Sequence, residues 1–280
     1  MLRGVADPGT CAGSHRLVFW GENEWARTAA ARWGFNWNGC EPSIVRRVNS
    51  RRFKFALERR LDVAVPVSAI TESISELQNA VDPLSSDEGW VLKGEFGGAG
   101  REVRFGTGPL SEADAAWAAN RWRRGLAVTV EPRLKPVDEA GLQFWINDDG
   151  DVAFDGVTPL LTRPGGGYLG NRFDGDPQLL SIWQEAIAVG RAVALAVAAE
   201  GYFGPLGIDA MRYRDSDGTV RIRAVQDLNA RYTMGRLALG LRRFAGFAAL
   251  TGGVFRPSDF CAVELSSLAA TIGSAPDGRG

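Results

Sequence analysis

The sequence predicts an α+β fold in which helices and hairpin-forming strands are mixed. Two segments, residues 140–161 and 206–229, are typical of β-hairpins because each has a glycine-containing turn between two strand-like runs. Other segments favour helices, but helices and strands do not alternate regularly enough for a doubly wound parallel sheet. With 280 residues, of which 45% are hydrophobic, the chain is long enough for one large domain or two small ones.

The first half of the chain carries clear helix-start signals. Ser50 is a plausible N-cap before an apolar-periodic run, and the Ser/Thr-x-x-Glu pattern near Thr71 and Ser73 is that of a capping box. Pro66 biases its neighbour away from helix, so an extended segment is expected around it. The predicted elements are helices at 23–35, 50–61, 71–81 and 112–122 and strands at 90–96 and 126–134.

The second half is expected to hold the two hairpins with one long helix between them. The first hairpin should turn at residues 148–150. The helix is predicted over 177–200, because Asp176 followed by Pro177 is a cap followed by proline at the first helical position. Gly201 is a natural residue for the end of this helix.

Composition argues against several classes of protein. A formal net charge of −1 argues against general nucleic-acid binding, which needs a basic surface. Arg191 interrupts the longest apolar run, so no membrane span is expected. Cys11, Cys40 and Cys261 are scattered without a paired motif, which argues against disulfides and zinc sites and favours a cytoplasmic protein. His15 is the single histidine, so acid–base catalysis by histidine is not expected.

Polar residues at alternate positions mark the second strand of the last hairpin. Asp227, Asn229 and Arg231 stand two residues apart, so a strand would place them on one face. Carboxylate and amide oxygens are hard ligands, and Mg²⁺ is usually held by one or two carboxylates together with substrate phosphates. Each residue taken alone is typical of a turn or an edge strand, and it is the grouping that favours a metal site.

The turn of this hairpin decides whether Asp209, on the first strand, joins the same face. A three-residue turn ending at Gly218 would set Asp209 opposite Val225 and make Asp227 its diagonal neighbour. A two-residue turn would put the two carboxylates on opposite faces. Glycine readily adopts the left-handed conformation that the longer turn requires, so we predict that turn and a shared face.

A glycine-rich loop follows the strand predicted at 90–96 and is a candidate phosphate-binding element. Backbone N–H groups in such loops approach phosphate oxygens, and basic side chains add charge. No Gly-Lys-Ser/Thr follows, so this is not a Walker A loop, and an ordinary turn with a surface lysine is the alternative. The stretch 165–170 matches G-x-G-x-x-G but lacks a βαβ context, so we interpret it as a flexible loop. The glycines and basic residues of the first loop are Lys93, Gly94, Gly97, Gly98, Gly100 and Arg101.

In this order, the segments resemble the ATP-grasp superfamily of ATP-dependent ligases over residues 45–240. The most specific similarity is "GIDAMRY" followed by "VQDLNAR", which looks like the D-alanine–D-alanine ligase pattern of an Asp on one strand and Glu-x-Asn on the next. The other similar stretches are "VNSRRFKFALERRLDVAVPVS", "WVLKGEFGGAGRE" and "VTVEPRL". The resemblance implies two α+β lobes with an ATP cleft between them.

The resemblance also implies ATP and Mg²⁺ as cofactors and roles for individual residues. Catalytic roles fall on Lys93, Arg101 and Arg231, and metal binding on Asp209, Asp227 and Asn229. Arg51 or Lys54 would contact the α-phosphate, residues 131–134 would form the hinge that binds adenine through its backbone, and Asp138 or Glu139 would hold the ribose. The implied nucleotide-binding residues are Arg51, Lys54, Lys93, Gly97, Gly98, Gly100, Glu131, Pro132, Arg133, Leu134, Asp138 and Glu139.

Two departures from the family pattern affect these expectations. Asp227 stands where the family commonly has glutamate, and the shorter side chain is less able to bridge two metal ions. The family also usually carries a full N-terminal α/β domain, for which the preceding segment is too short. Either a homo-oligomer or a partner subunit would replace that domain, or the start of this sequence lies inside the natural gene. The expected organisation is a remnant of that domain at 1–45, an N-lobe with the glycine-rich loop at 46–130, a C-lobe with the metal-binding hairpin at 131–270 and a disordered tail at 271–280.

The implied reaction joins a small-molecule carboxylate to an amine or, less often, a thiol. The carboxylate would attack the γ-phosphate of ATP, and the amine would then displace phosphate from the acyl phosphate. Arg163, Tyr168 and Arg172 are candidates for a lid over the carboxylate substrate, with an ordinary surface loop as the alternative. Two other functions stay open, a non-catalytic nucleotide-binding or scaffold module and a small-molecule kinase on the same fold.

Overall fold

The computed structural model describes residues 17–85, 88–97, 102–163, 167–172, 177–241 and 254–255. It confirms the α+β fold, with helices packed on two antiparallel sheets. The helices are α1 (Glu24–Arg32), α2 (Pro42–Val48), α3 (Arg51–Arg60), α4 (Ile74–Val81), α5 (Glu112–Trp122), α6 (Leu179–Ile182), α7 (Gln184–Ala199) and α8 (Met234–Leu241). The strands are β1 (Ala69–Thr71), β2 (Trp90–Gly94), β3 (Val103–Gly106), β4 (Val128–Pro132), β5 (Lys135–Ile146), β6 (Val152–Thr162), β7 (Tyr168–Arg172), β8 (Gly204–Arg214), β9 (Val220–Asn229) and β10 (Val254–Phe255).

The smaller sheet has the strand order β1-β4-β2-β3. In the pairing of β2 with β4, Lys93 lies opposite Thr129 and Val91 lies opposite Glu131. Apolar side chains of these strands pack with α4 and α5 in one core cluster, in which Trp90 is 1% exposed. Trp90 is therefore a core residue of the smaller sheet.

The larger sheet has the strand order β10-β7-β6-β5-β8-β9. Helix α7 packs closely on it at Gly190, where a Cβ atom would lie 3.0 Å from the ring of Phe144. Val48 of α2 and Leu57 of α3 belong to the same core cluster, so the segments that precede the smaller sheet pack on the larger one. Within the described part of the chain, no helix combines the length and the apolar character that crossing a membrane would require.

Side-chain caps determine where several helices begin. Asn23, Ser50, Ser73 and Ser111 each accept a hydrogen bond from the backbone N–H three residues later. Such a bond satisfies one of the N–H groups that a helix start leaves without a partner. The starts predicted at Ser50 and Ser73 are confirmed, because these signals are local and need no tertiary contact.

Two predictions for the second half are wrong in detail. The helix predicted over 177–200 is interrupted at Trp183, whose φ of −102° and ψ of 11° separate α6 from α7. The Trp183 side chain at this break is 2% exposed and belongs to the core of the larger sheet. The stretch 165–170 is not wholly a loop, because Tyr168 and Gly170 pair with β6 as part of β7.

Candidate functional site

The turn of the β8–β9 hairpin has the predicted form. Gly218 is left-handed with a φ of 84°, and its N–H donates to the carbonyl of Asp215. The N–H of Asp215 donates to the carbonyl of Thr219 at 2.9 Å, which closes the turn. The three-residue turn 216–218 is therefore confirmed.

Further from the turn, the strand register differs from the prediction. Met211 lies opposite Arg223, but Asp209 lies opposite Asp227, so β9 advances four residues while β8 advances two. This β-bulge cancels the expected pairing of Asp209 with Val225. Because residues directly opposite each other point to the same side of a sheet, the two carboxylates share a face, as predicted. Directly opposite residues are also closer than diagonal ones, so the carboxylates lie nearer to each other than the predicted diagonal placement implied.

Asp209, Asp227 and Asn229 lie together, and we call this group the carboxylate face. The Asn229 amide nitrogen donates to Asp209 at 3.1 Å, while Arg231 donates to the Asn229 amide oxygen at 2.6 Å. Arg51 lies 3.4 Å from Asp227. The structure thus brings the three predicted metal ligands together and places one guanidinium on each side of them.

The electrostatics of the carboxylate face fit a bound cation. Burial and repulsion from Asp227 raise the pKa of Asp209 to about 7, and Arg231 and Asn229 oppose this shift only in part. Two carboxylates in one site repel each other, and a divalent cation would remove that repulsion. The described residues contain no group of three or more His, Cys, Asp or Glu suited to a metal, so the third protein ligand would be the Asn229 amide.

A cavity of about 160 Å³ lies beside the carboxylate face. It is small compared with ligand pockets of roughly 300–1,000 Å³, and it suits a phosphate group better than a whole nucleotide. Two arginines and the backbone of the glycine-rich loop favour an anion there. The cavity is lined by Asn49, Arg51, Phe96, Gly97, Asp227, Leu228, Asn229 and Arg231.

Arg51 joins three parts of this site. Its backbone N–H donates to the carbonyl of Glu95 at 3.2 Å, and its guanidinium donates to the carbonyl of Gly94. The same guanidinium lies beside Asp227, and the side chain is 7% exposed. The first residue of α3 is thereby held against both the glycine-rich loop and β9, at the edge of the cavity.

A second group of charged side chains lies between the two sheets, and we call it the charge cluster. Lys93 lies 2.6 Å from Glu131, and Arg223 donates to both oxygens of Glu131 at 2.7 and 2.9 Å. Lys54 lies 2.9 Å from Glu58 and 3.6 Å from Glu131. The side chains of the cluster are at most 13% exposed, so these ion pairs are largely shielded from solvent.

The charge cluster changes the pKa values of its members in different directions. Burial alone would raise the pKa of Glu131, but Arg223, Lys93 and Lys54 lower it well below its usual value. Burial lowers the pKa of Lys93 to about 8, because the attraction of Glu131 offsets it only in part and Arg223 and Lys54 act in the same direction as burial. Burial also acts to lower the pKa of Arg223, but Glu131 raises it overall.

The predicted hinge, residues 131–134, lies where the chain passes from one sheet to the other. β4 ends at Pro132, and β5 begins three residues later. The Glu131 side chain points into the charge cluster and is 2% exposed. The guanidinium of Arg133 lies 5.4 Å from the centre of the Phe105 ring. The backbone contact with adenine stays a prediction.

Asp138 and Glu139, the residues predicted at the ribose, have partners on other strands of the larger sheet. Asp138 lies 3.3 Å from Arg212; burial raises the pKa of Asp138, although Arg212 acts against the shift. Glu139 accepts hydrogen bonds from Gln226 at 2.9 Å and from Thr162 at 3.1 Å. Their contact with a ribose also stays a prediction.

Part of the predicted site lies outside the described residues, namely Gly98, Gly100 and Arg101. Gly97 lines the cavity. In the predicted lid, the Tyr168 hydroxyl donates to Asn171, and burial together with the charge of Asp209 raises the pKa of Tyr168. Tyr168 therefore lies within electrostatic range of the carboxylate face.

Three residues of the site escaped sequence reasoning. Asn49 accepts a hydrogen bond from the N–H of Ala230 at 2.9 Å and so holds the chain just beyond β9. Glu58 stands four residues after Lys54 on a helix, and this spacing could have revealed the pair. Arg223 carries no local signal, because alternating polar residues on a strand are typical of a solvent-facing side.

The described residues form two antiparallel sheets joined by a short hinge, and the chain shares the ATP-grasp fold with solved structures. The predicted ATP-grasp fold is therefore confirmed. No protein-family model and no curated protein matches the chain.

Several solved structures that the chain resembles are enzymes. One is the biotin carboxylase domain of the 2-oxoglutarate carboxylase from Hydrogenobacter thermophilus, in complex with MgADP, ADP and bicarbonate, with a TM-score of 0.57 and 16% identity over 78% of this chain. A second is D-alanyl-alanine synthetase A from Vibrio cholerae, with a TM-score of 0.53 and 14% identity; the match covers 81% of this chain and 71% of that chain. A third is D-cycloserine synthetase, with a TM-score of 0.52 and 19% identity; the match covers 75% of this chain and 72% of that chain. The match covers 48% of the biotin carboxylase domain, so this chain spans about half the length of that domain.

Proposed function

We propose that the protein is an ATP- and Mg²⁺-dependent ligase that activates a carboxylate as an acyl phosphate for attack by an amine or a thiol. The observation that carries the proposal is the facing pair Asp209 and Asp227 beside a cavity lined by Arg51 and Arg231. Oxygen ligands next to a basic cavity suit a metal–phosphate complex. The biotin carboxylase domain with the same fold, solved with MgADP, supports this proposal.

The carboxylate face would hold Mg²⁺, which when bound supplies positive charge to phosphate oxygens. In the structure, the amide oxygen of Asn229 accepts from Arg231, and its amide nitrogen faces Asp209. Because an amide oxygen has two lone pairs, it could bind the metal while it still accepts from Arg231. The Arg231 guanidinium would then lie beside the metal, where it could bind the carboxyl or phosphoryl oxygens of the reactants.

The proposed reaction has two steps. An oxygen of the substrate carboxylate attacks the γ-phosphorus of ATP, the bond to the bridging oxygen breaks, and ADP leaves. The amine nitrogen then attacks the acyl carbon, phosphate leaves, and the nitrogen loses a proton to solvent. Arg51, Lys93 and Arg231 would stabilise the negative charge on the reacting oxygens, so no side-chain nucleophile is required.

A non-catalytic nucleotide-binding module is the second candidate. The observation that favours it is the ion pair between Lys93 and Glu131 at 2.6 Å, because a lysine in this pair does not contact a phosphate. Lys93 is also not among the residues that line the cavity. An assay for ADP release, run with pairs of carboxylic acids and amines, separates the two functions. Release that requires both substrates supports the ligase, whereas tight ATP binding without turnover supports the module.

The substitution Asp227→Asn tests the metal site. We expect the dissociation constant for MgATP, measured by isothermal titration calorimetry, to rise by roughly tenfold or more, because the metal loses a charged ligand. Asp215→Asn, in the exposed turn of the same hairpin, is the matched control and should bind MgATP like the wild type. Equal affinity of the Asp227→Asn variant and the wild type would show that the metal assignment is wrong.

A further inference from the structure

We propose that Arg223 is a positioning residue for ATP binding: it holds Glu131 in place so that Lys93 can leave that carboxylate and bind a phosphate of the nucleotide. This inference rests on the proposed function, since it takes ATP as the ligand of Lys93. It is carried by the geometry of the charge cluster, in which Arg223 of β9 and Lys93 of β2 contact the same carboxylate from different sheets.

Lys93 must exchange one anion for another in order to bind a phosphate. Its Nζ lies 2.6 Å from Oε2 of Glu131, and its side chain is 13% exposed. When the ammonium leaves, Glu131 stays behind with a side chain that is 2% exposed. A buried carboxylate without a counter-charge is strongly unfavourable, so the exchange needs a second cation on Glu131.

Arg223 supplies that second cation. Its Nη1 and Nη2 donate to Oε2 and Oε1 of Glu131 at 2.9 and 2.7 Å, which is the bidentate geometry that a planar guanidinium forms with a carboxylate. Lys54 adds a longer contact with Glu131 at 3.6 Å but is itself held by Glu58 at 2.9 Å. Glu131 therefore remains paired and oriented after Lys93 has left.

The charge balance of the cluster also favours the departure of Lys93. Three cations, Lys54, Lys93 and Arg223, face two carboxylates, Glu58 and Glu131, which leaves one positive charge in excess. The groups that act on Lys93 are Glu131 on β4, Arg223 on β9 and Lys54 on α3. Burial and the two neighbouring cations lower the pKa of Lys93 to about 8, against the attraction of Glu131. An incoming phosphate would neutralise the excess charge.

A double-mutant cycle on MgATP affinity tests the proposal, with the variants Arg223→Gln, Glu131→Gln and the double substitution. Arg223→Gln should raise the dissociation constant about tenfold, because Glu131 then retains Lys93 as its main partner. The double variant should bind within about threefold of the wild type, because no carboxylate competes for Lys93. A double variant that binds as weakly as Arg223→Gln would overturn the proposal, since it would mean that Arg223 contacts the nucleotide itself.

Two further variants serve as controls for charge and for folding. Arg221→Gln, two residues away on the same strand with a side chain that is 50% exposed, should bind MgATP like the wild type. Arg223→Lys keeps the positive charge but loses the bidentate geometry of the guanidinium, so it should weaken MgATP binding less than Arg223→Gln does. Thermal unfolding reports whether each variant is folded. If Arg223→Gln does not fold, Arg223→Lys compared with the double variant provides the same test.

The pH dependence of MgATP affinity provides a readout that a merely structural role would not change. Affinity should fall as pH rises through the pKa of Lys93, because the lysine loses its charge. Arg223→Gln removes a neighbouring cation and should move this fall to higher pH, whereas Glu131→Gln should move it to lower pH. A midpoint that is the same in all three proteins would contradict the proposal.

Lys93→Met separates failure of this inference from failure of the proposed function. If Lys93→Met binds MgATP like the wild type, Lys93 is not an ATP ligand, and both the proposed role of Lys93 and this inference fail. If Lys93→Met binds weakly but the cycle shows no coupling between Arg223 and Glu131, only the positioning role of Arg223 is overturned.

Discussion

The carboxylate face and the charge cluster place acidic side chains in opposite electrostatic surroundings. On the carboxylate face, Asp209 lies opposite a second carboxylate, and its pKa is raised to about 7. In the charge cluster, Glu131 contacts three cations, and its pKa is well below its usual value. The difference shows that neighbouring charges, and not burial alone, decide the state of a buried acid. Two guanidiniums accompany the two carboxylates of the carboxylate face, whereas the charge cluster holds one positive charge in excess.

The largest expected effect comes from removing the centre of the charge cluster. Glu131→Ala leaves Lys54, Lys93 and Arg223 buried without their shared partner, and the free energy of unfolding should fall by about 3–5 kcal/mol. Urea denaturation followed by circular dichroism measures this change. Glu88→Ala, which removes an exposed partner of Lys135, should change it by less than about 1 kcal/mol. Similar small losses for both variants would mean that the cluster does not depend on Glu131.

The pH dependence of stability should distinguish Lys93 from an ordinary lysine. Its folded pKa of about 8 lies below the ordinary value of 10.5, so the unfolded chain binds more protons between these two pH values. The free energy of unfolding of the wild type, relative to Lys93→Met, should therefore rise by about 2 kcal/mol as pH increases from 8 to 10.5. Denaturant titrations of both proteins across this range measure the difference. A difference that is flat with pH would contradict the lowered pKa.

The smallest expected effect has the opposite sign and lies on the carboxylate face. Asp209→Asn removes the repulsion with Asp227 while keeping an oxygen that accepts from Asn229, so the free energy of unfolding without Mg²⁺ should rise by about 1 kcal/mol. Thermal melts should also show that MgATP stabilises the wild type more than the variant. Asp149→Asn, in the exposed turn of the first hairpin, should change neither quantity. If Asp209→Asn clearly lowered the free energy of unfolding, repulsion between Asp209 and Asp227 would not distinguish the carboxylate face from the charge cluster.

Local signals in the sequence predicted the parts of the fold that depend on neighbouring residues. Ser50 and Ser73 begin helices because their hydroxyls bond to an N–H three residues later. Gly218 determines the turn of the last hairpin because its φ of 84° is costly for other residues. Signals of this kind do not report on packing, which is why the break at Trp183 and the pairing of β7 were not predicted.

The composition of the candidate site was predictable, but its geometry was not. Alternation along one strand indicated that Asp227 and Asn229 share a face, and the glycine turn added Asp209. The β-bulge that sets Asp209 directly opposite Asp227 lies in β9, while β8 keeps a regular register with β5 at the same positions, and no turn signal encodes it.

The sequence by itself determined the helix starts, the hairpin turn and the types of residue in the candidate site, because each depends on groups a few positions apart. Only the tertiary structure decided that Glu131 is the centre of an ionic network and not a solvent-facing hinge residue. Its partners Lys54, Lys93 and Arg223 come from α3, β2 and β9. Ion pairs between residues so far apart in the chain form only when packing brings the elements together and excludes water, and the balance of charge in the site follows from that packing.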